Sequence, residues 1–257
     1  MPAMLLKALV GTLIGVVVGL TGLGSGVLLL PVLIFGLGVP PIVAVGSDAA
    51  FSVLTKFGAG VLHWRQRTVQ WGLVQSLILG SIPGAFAGVW LLAHLRTVYG
   101  NGVNDILKHV IGVLLVVIPI VLILQGLLSR SSVPIGKFKS GSRLGVSLIG
   151  LFAGFIVGIS SVGSGTVVLV LMVLLIQCSP ATLVGTDIVH AVILTGFTSL
   201  LYLKLGTVNF RLVLALLLGS IPGALVGARL STRLSSLWLK RVLCLALLAT
   251  GVRMLFV

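Results

Sequence analysis

Apolar residues run along this chain in ten stretches, separated by glycines, prolines and small basic clusters. Residues 4–20, 26–38, 42–62, 69–93 and 105–127 form five of them, and 145–160, 165–177, 181–202, 209–230 and 236–256 form the other five. A helix that crosses a bilayer needs about 20 mostly apolar residues, so the pattern predicts an all-α, polytopic integral membrane protein. The first two stretches of each set are shorter, roughly 12 to 17 residues, and a glycine-rich turn joins them. That spacing predicts a broken or re-entrant helix rather than two ordinary spans.

The two sets are copies of one unit. Residues 15–95 align without a gap on 154–234, an offset of 139 positions, with about a third of the pairs identical. The matches gather at polar and glycine positions: Gly24-Ser25-Gly26 with Gly163-Ser164-Gly165, Val45-Gly46-Ser47-Asp48 with Val184-Gly185-Thr186-Asp187, and Gly80-Ser81-Ile82-Pro83-Gly84-Ala85 with Gly219-Ser220-Ile221-Pro222-Gly223-Ala224. Apolar composition alone does not bring such positions into register. The expected organisation is a first membrane repeat over 1–128, a basic linker over 129–143 carrying Arg130, Lys137, Lys139 and Arg143, and a second repeat over 144–257. The linker is too short for a soluble regulatory domain. The run from Met1 continues through glycines into further stretches without a small-residue cleavage site, so it is expected to be the first membrane helix.

Composition agrees: of 257 residues 58% are hydrophobic and 8% charged, with a mean hydropathy of +1.30, far from a water-soluble domain. The net charge of +14 does not point to nucleic acid, because the 17 Lys and Arg lie between apolar stretches rather than on one surface. Cytoplasmic positive charge and anionic lipid headgroups account for most of it, leaving a share to favour an anionic solute. If every stretch crosses, Arg65, Arg67, Arg130, Lys137, Lys139, Arg143, Arg229, Arg233, Lys240 and Arg241 fall on one face, with Lys7, Arg96, Lys108, Lys204, Arg211 and Arg253 on the other. A basic loop in one copy is poor in charge in the other. Five crossings per copy and this exchange predict inverted repeats, with the richer face cytoplasmic in a prokaryotic plasma or inner membrane. Cys178 and Cys244 match no metal or redox spacing and are expected to pack.

Chemistry is concentrated in few residues. The only acids are Asp48, Asp105 and Asp187, and Asp48 and Asp187 occupy the same position of the two copies. Two readings fit them: a pair of sites for protons or coupling cations inside the membrane, or N-caps of the third helices. Lys56 follows Asp48 by eight residues, and its counterpart is Thr195. It attracts an anion, neutralises an acidic neighbour or snorkels. His190 follows Asp187 by three residues, where it shares a proton or packs between helices. The segments Thr21-Gly22-Leu23-Gly24-Ser25-Gly26 and Ser160-Ser161-Val162-Gly163-Ser164-Gly165 each read as a helix end, a permissive turn and a new helix start. Free N–H groups and serine hydroxyls suit an anion there; packing of small residues is the plainer alternative. Pro83 and Pro222 fall inside fourth helices, as structural kinks or hinges. Trp64 with Arg65, and Trp238 with Arg241, suit membrane interfaces.

On these residues the sequence resembles the sulfite exporter TauE/SafE family of membrane transporters. The resemblance rests on the glycine-serine turn early in each copy, the Val-Gly-Ser-Asp and Val-Gly-Thr-Asp openings, Thr55-Lys56, and Gly-Ser-Ile-Pro-Gly. It implies a carrier that moves sulfite, organosulfonates or related anions out of the cell, driven by an ion gradient. The expected substrate-binding residues are Thr21, Gly24, Ser25, Gly26, Lys56, Ser160, Ser161, Gly163, Ser164 and Gly165, with Asp48, Asp187 and His190 coupling protons or cations. A passive anion channel is the competing function. An intramembrane enzyme is disfavoured, because Ser25 has no histidine partner in its own copy and no metal-binding set is evident. No cofactor is expected. Association into a homo-oligomer is left open.

Overall fold

A computed structural model describes residues 2–21, 25–128, 143–175, 178–231 and 236–256. Among them every regular element is helical: α1 (Pro2–Thr21), α2 (Ser25–Pro31), α3 (Pro41–Arg65), α4 (Trp71–Tyr99), α5 (Val103–Leu128), α6 (Arg143–Ser160), α7 (Thr166–Leu175), α8 (Pro180–Lys204), α9 (Phe210–Ser231) and α10 (Ser236–Phe256). In hydrocarbon a backbone must satisfy its own polar groups, which long helices do. Each predicted stretch corresponds to one helix. The second of each set is the shortest: α2 has 7 residues, extended by a π-helical turn at Val32–Gly36, and α7 has 10. The linker, apart from Arg143 at the start of α6, lies outside the described residues, as does Gly24. α4 and α9 run through Pro83 and Pro222 as single helices.

The outward surface is apolar. On α4, Leu79, Phe86 and Trp90 are exposed while Leu73 and Leu77 are buried, and on α9 Leu214, Leu218, Ile221 and Leu225 are exposed while Leu212 and Leu216 are buried. A surface of this kind belongs in lipid. Among the described residues five stretches are long and apolar enough to cross a membrane: Pro41–Arg65, Trp71–Ile123, Arg143–Ser160, Ala181–Lys204 and Phe210–Gly227.

Close packing joins helices from opposite ends of the sequence. A Cβ built on Gly11 or Gly15 of α1 would strike the backbone of Leu216 or Ser220 of α9, while Gly219, Gly223 and Gly227 meet the backbone of Ala8, Thr12 and Val16. Residue numbers rise together, so α1 and α9 run parallel. The equivalent residues join α4 to α6: Gly80, Gly84 and Gly88 meet Ser147, Leu151 and Phe155, and Gly150 and Gly154 meet Leu77 and Ser81. Backbones this close are what small residues permit in a membrane. α3 and α8 cross in the opposite sense, with Gly46 near the start of α3 against Thr207 beyond α8, and Gly185 near the start of α8 against Thr68 beyond α3.

Two matched hydrogen bonds fix that crossing. The backbone N–H of Asn209 donates to Ser47 Oγ at 3.0 Å, and the backbone N–H of Gln70 donates to Thr186 Oγ1 at 3.0 Å. These N–H groups precede α9 and α4. A hydroxyl inside one central helix thus anchors the loop that leaves the other.

Candidate functional site

The centre of the α3–α8 crossing is polar where the surroundings are apolar. Asp48 is the eighth residue of α3 and Asp187 the eighth of α8. Two turns inside their helices, neither caps a helix start, which removes one of the two readings of the aspartates. The starts are served otherwise: Asn104 Oδ1 accepts from the N–H of Ile42 at 3.2 Å, and Ser179 Oγ accepts from the N–H of Thr182 at 3.2 Å. Each third helix also opens on a proline, Pro41 or Pro180, which has no N–H to satisfy.

The breaks meet these aspartates. α6 ends at Ser160, the chain bends at Ser161 and turns through Val162–Gly165, and α7 starts at Thr166. Ser161 takes a left-handed backbone, φ 56°, and Gly163 another, φ 90°. The first is costly for serine and points to a constraint. Its hydroxyl supplies one, donating to Asp48 Oδ2 at 2.8 Å with both residues fully buried. Gly26 lies in the same place: a Cβ there would come within 2.7 Å of Asp48 Oδ2 and 2.9 Å of the Ser161 carbonyl oxygen. Only glycine lets α2 approach so closely. Ser25, the first residue of α2, shares a hydrogen bond of 2.7 Å with Ser52, one turn beyond Asp48 on α3.

The same break also meets a cation. Lys56, half-buried on α3, donates to Ser164 Oγ at 2.6 Å and to the Ser164 carbonyl at 3.4 Å. Its ammonium lies in electrostatic range of both Asp187 and Asp48. Gly165 sits between the charges, its added Cβ 3.5 Å from Asp187 Oδ2 and 3.7 Å from Lys56 Nζ. Among the described residues three buried side-chain polar atoms have no hydrogen-bond partner: Asp48 Oδ1, Asp187 Oδ1 and His190 Nδ1. Unsatisfied polar atoms are rare in a folded interior, and two of these three belong to the matched aspartates.

The structure therefore gathers Ser25, Gly26, Asp48, Lys56, Ser161, Ser164, Gly165 and Asp187. His190 reaches α4, where its Nε2 pairs with Ser81 Oγ at 2.9 Å, and makes no hydrogen bond to Asp187. Ser160 serves the helix end, donating to the Ile156 carbonyl at 2.8 Å and accepting from the N–H of Val162 at 3.2 Å. Gly163 shapes the turn. Thr21 is the last residue of α1, and Gly24 lies outside the described residues. Sequence reasoning missed Ser52, although its place four residues after Asp48 puts it on the same helix face. It also missed Ser81 and Tyr202, whose buried hydroxyl donates to the Gly158 carbonyl at 2.5 Å and ties α8 to the end of α6.

An apolar helical shell around a charged, incompletely satisfied crossing is the construction of a membrane transport protein. The chain belongs to the sulfite exporter TauE/SafE family, which it matches over residues 7–254. It is thus a multi-pass protein of the cell membrane. It is similar to the probable membrane transporter protein YjnA of Bacillus subtilis (strain 168), 37% identical over 96% of this chain and 98% of that protein. Probable membrane transporter protein YdhB of the same organism is 22% identical over 98% of this chain and 100% of its own length. No solved structure matches the chain.

Proposed function

We propose that the protein is a secondary transporter that exports small anions, sulfite, sulfonates or related sulfur-containing anions, by alternating access coupled to an ion gradient. Its two repeats are inverted about the α3–α8 crossing, and the breaks after α1 and α6 face the substrate path. The opposed directions of α3 and α8 support the inversion, as does the parallel course of α1 with α9 and of α4 with α6. Oppositely oriented copies of one unit give a carrier two similar conformations open to opposite sides.

One observation carries the substrate reading: Lys56 Nζ lies 2.6 Å from Ser164 Oγ in a broken helix inside an apolar shell. A charge there has little water to screen it, so an entering anion gains strongly from the ammonium. Sulfur oxyanions offer several acceptor oxygens, enough to take the ammonium, the Ser164 hydroxyl and N–H groups of the turn together. Export or coupled exchange follows when binding from one side biases the protein toward the state open to the other.

Flux of labelled sulfite and of a labelled sulfonate in proteoliposomes tests this. Saturable flux that falls at least tenfold in Ser164→Ala supports the assignment. Flux unchanged by that variant defeats the site, and unitary currents without saturation would make the protein a channel.

A further inference from the structure

The two halves treat their aspartates unequally. Beside Asp187 stands Lys56, a cation covalently tethered to α3 and hydrogen-bonded to Ser164. Beside Asp48 the equivalent tethered cation is missing, because the position matching Lys56 is Thr195, whose hydroxyl donates to the Ala191 carbonyl of its own helix at 2.7 Å. What surrounds Asp48 is oxygen. Ser161 Oγ lies 2.8 Å from Oδ2, Ser25 Oγ faces the same carboxylate, and Ser52 Oγ lies 2.7 Å beyond Ser25 Oγ. The Ser161 carbonyl oxygen reaches the same spot beside Gly26. All four residues are at least nine-tenths buried, and Asp48 Oδ1 has no partner.

We propose that Asp48, with the hydroxyls of Ser25, Ser52 and Ser161, forms a binding site for one hard monovalent cation, sodium being the probe, and that Lys56 fills the corresponding role for Asp187. This rests on the ion-coupled reading above and names where the ion sits. Hard cations take carboxylate, hydroxyl and carbonyl oxygens, and this cluster contains all three without nitrogen or sulfur. Charge points the same way. Two carboxylates face one ammonium, so the ionised crossing carries one uncompensated negative charge in a low-dielectric setting, and one bound cation cancels it. Ser161 adds a further reason. Its left-handed backbone suits glycine, and the other copy has Gly22 at the matching position. A serine held in that conformation gains nothing from its backbone, whereas its hydroxyl completes the ring of oxygens around Asp48.

Binding of radioactive sodium to detergent-purified protein, with no sulfur anion present, tests the site independently of transport. Saturable binding near one ion per chain is expected, weakened at least tenfold in Asp48→Asn and in Ser161→Gly. The second variant removes the hydroxyl while relieving the backbone, which offsets part of the stability lost with the bond to Asp48. Absent saturable binding, or affinity unchanged in both variants, overturns the proposal. So does stabilisation that follows pH alone with no response to sodium, which would assign Asp48 to a proton. Sodium binding without anion flux would leave the site standing and defeat the substrate reading; anion flux without sodium binding would do the reverse.

Discussion

Arg67 and Gly206, 139 positions apart, turn the chain with the same left-handed backbone, φ 56° and 68°. Each closes the short connection from a central helix to the next, α3 to α4 and α8 to α9. For arginine this conformation costs about 1–2 kcal/mol, and glycine avoids it at a smaller entropic cost. Arg67→Gly is therefore expected to stabilise the protein by roughly 0.5–1 kcal/mol, read as a higher midpoint of thermal unfolding in detergent. Gly206→Ala should lower it.

The glycines of the paired helices divide into two kinds. Gly80 and Gly219 have no room for a Cβ against the backbone of the facing helix, whereas Gly58 and Gly72 have nothing within 4 Å. Gly80→Ala and Gly219→Ala are expected to destabilise by about 2–4 kcal/mol, because facing backbones must separate. Gly58→Ala should be neutral or stabilising by up to about 1 kcal/mol, as helix propensity predicts. Chemical-denaturant curves on the three variants separate these outcomes; equal effects at Gly80 and Gly58 would refute the packing described.

Ser47 and Thr186 anchor loops in equivalent ways, so their loss should cost alike. Ser47→Ala and Thr186→Ala each leave a backbone N–H without its acceptor, at about 1–3 kcal/mol. The two bonds lie at opposite ends of the α3–α8 crossing, and their effects should add in the double variant to within about 0.5 kcal/mol. Thermal unfolding of the two single variants and the double variant measures the sum.

Lys56→Met is expected to lower anion flux at least tenfold and also to destabilise, because Asp187 then loses its nearby positive charge. Asp187→Asn in the same chain should recover much of the stability without recovering flux. A double variant no more stable than Lys56→Met alone would show that the two charges do not interact.

Much of this was legible in the sequence. The helices of the described residues follow the apolar stretches, and α2 and α7 fall on the short second stretch of each set. The importance of Asp48, Asp187 and Lys56 could be read from their rarity in apolar surroundings. Partners across the chain were not legible. Ser161 meets Asp48 and Lys56 meets Ser164 because α3 crosses α8, and hydropathy is blind to such crossings when lipid-facing and core-facing residues are equally apolar. The capping alternative for the aspartates survived in the sequence because helix starts there are ambiguous by several residues. Pro41 and Pro180, which open α3 and α8, were the available clue. Ser52 was overlooked because a lone serine in an apolar helix carries no signal until Ser25 is placed beside it.

The glycine-lined pairs bear on how such a molecule can move. α1 is fastened to α9 and α4 to α6 by contact of main chain on main chain, and each pair takes one helix from either copy. Neither copy can rock as a body without tearing both fastenings. In the alternating-access cycle proposed above, the moving units are then these mixed pairs rather than the copies themselves.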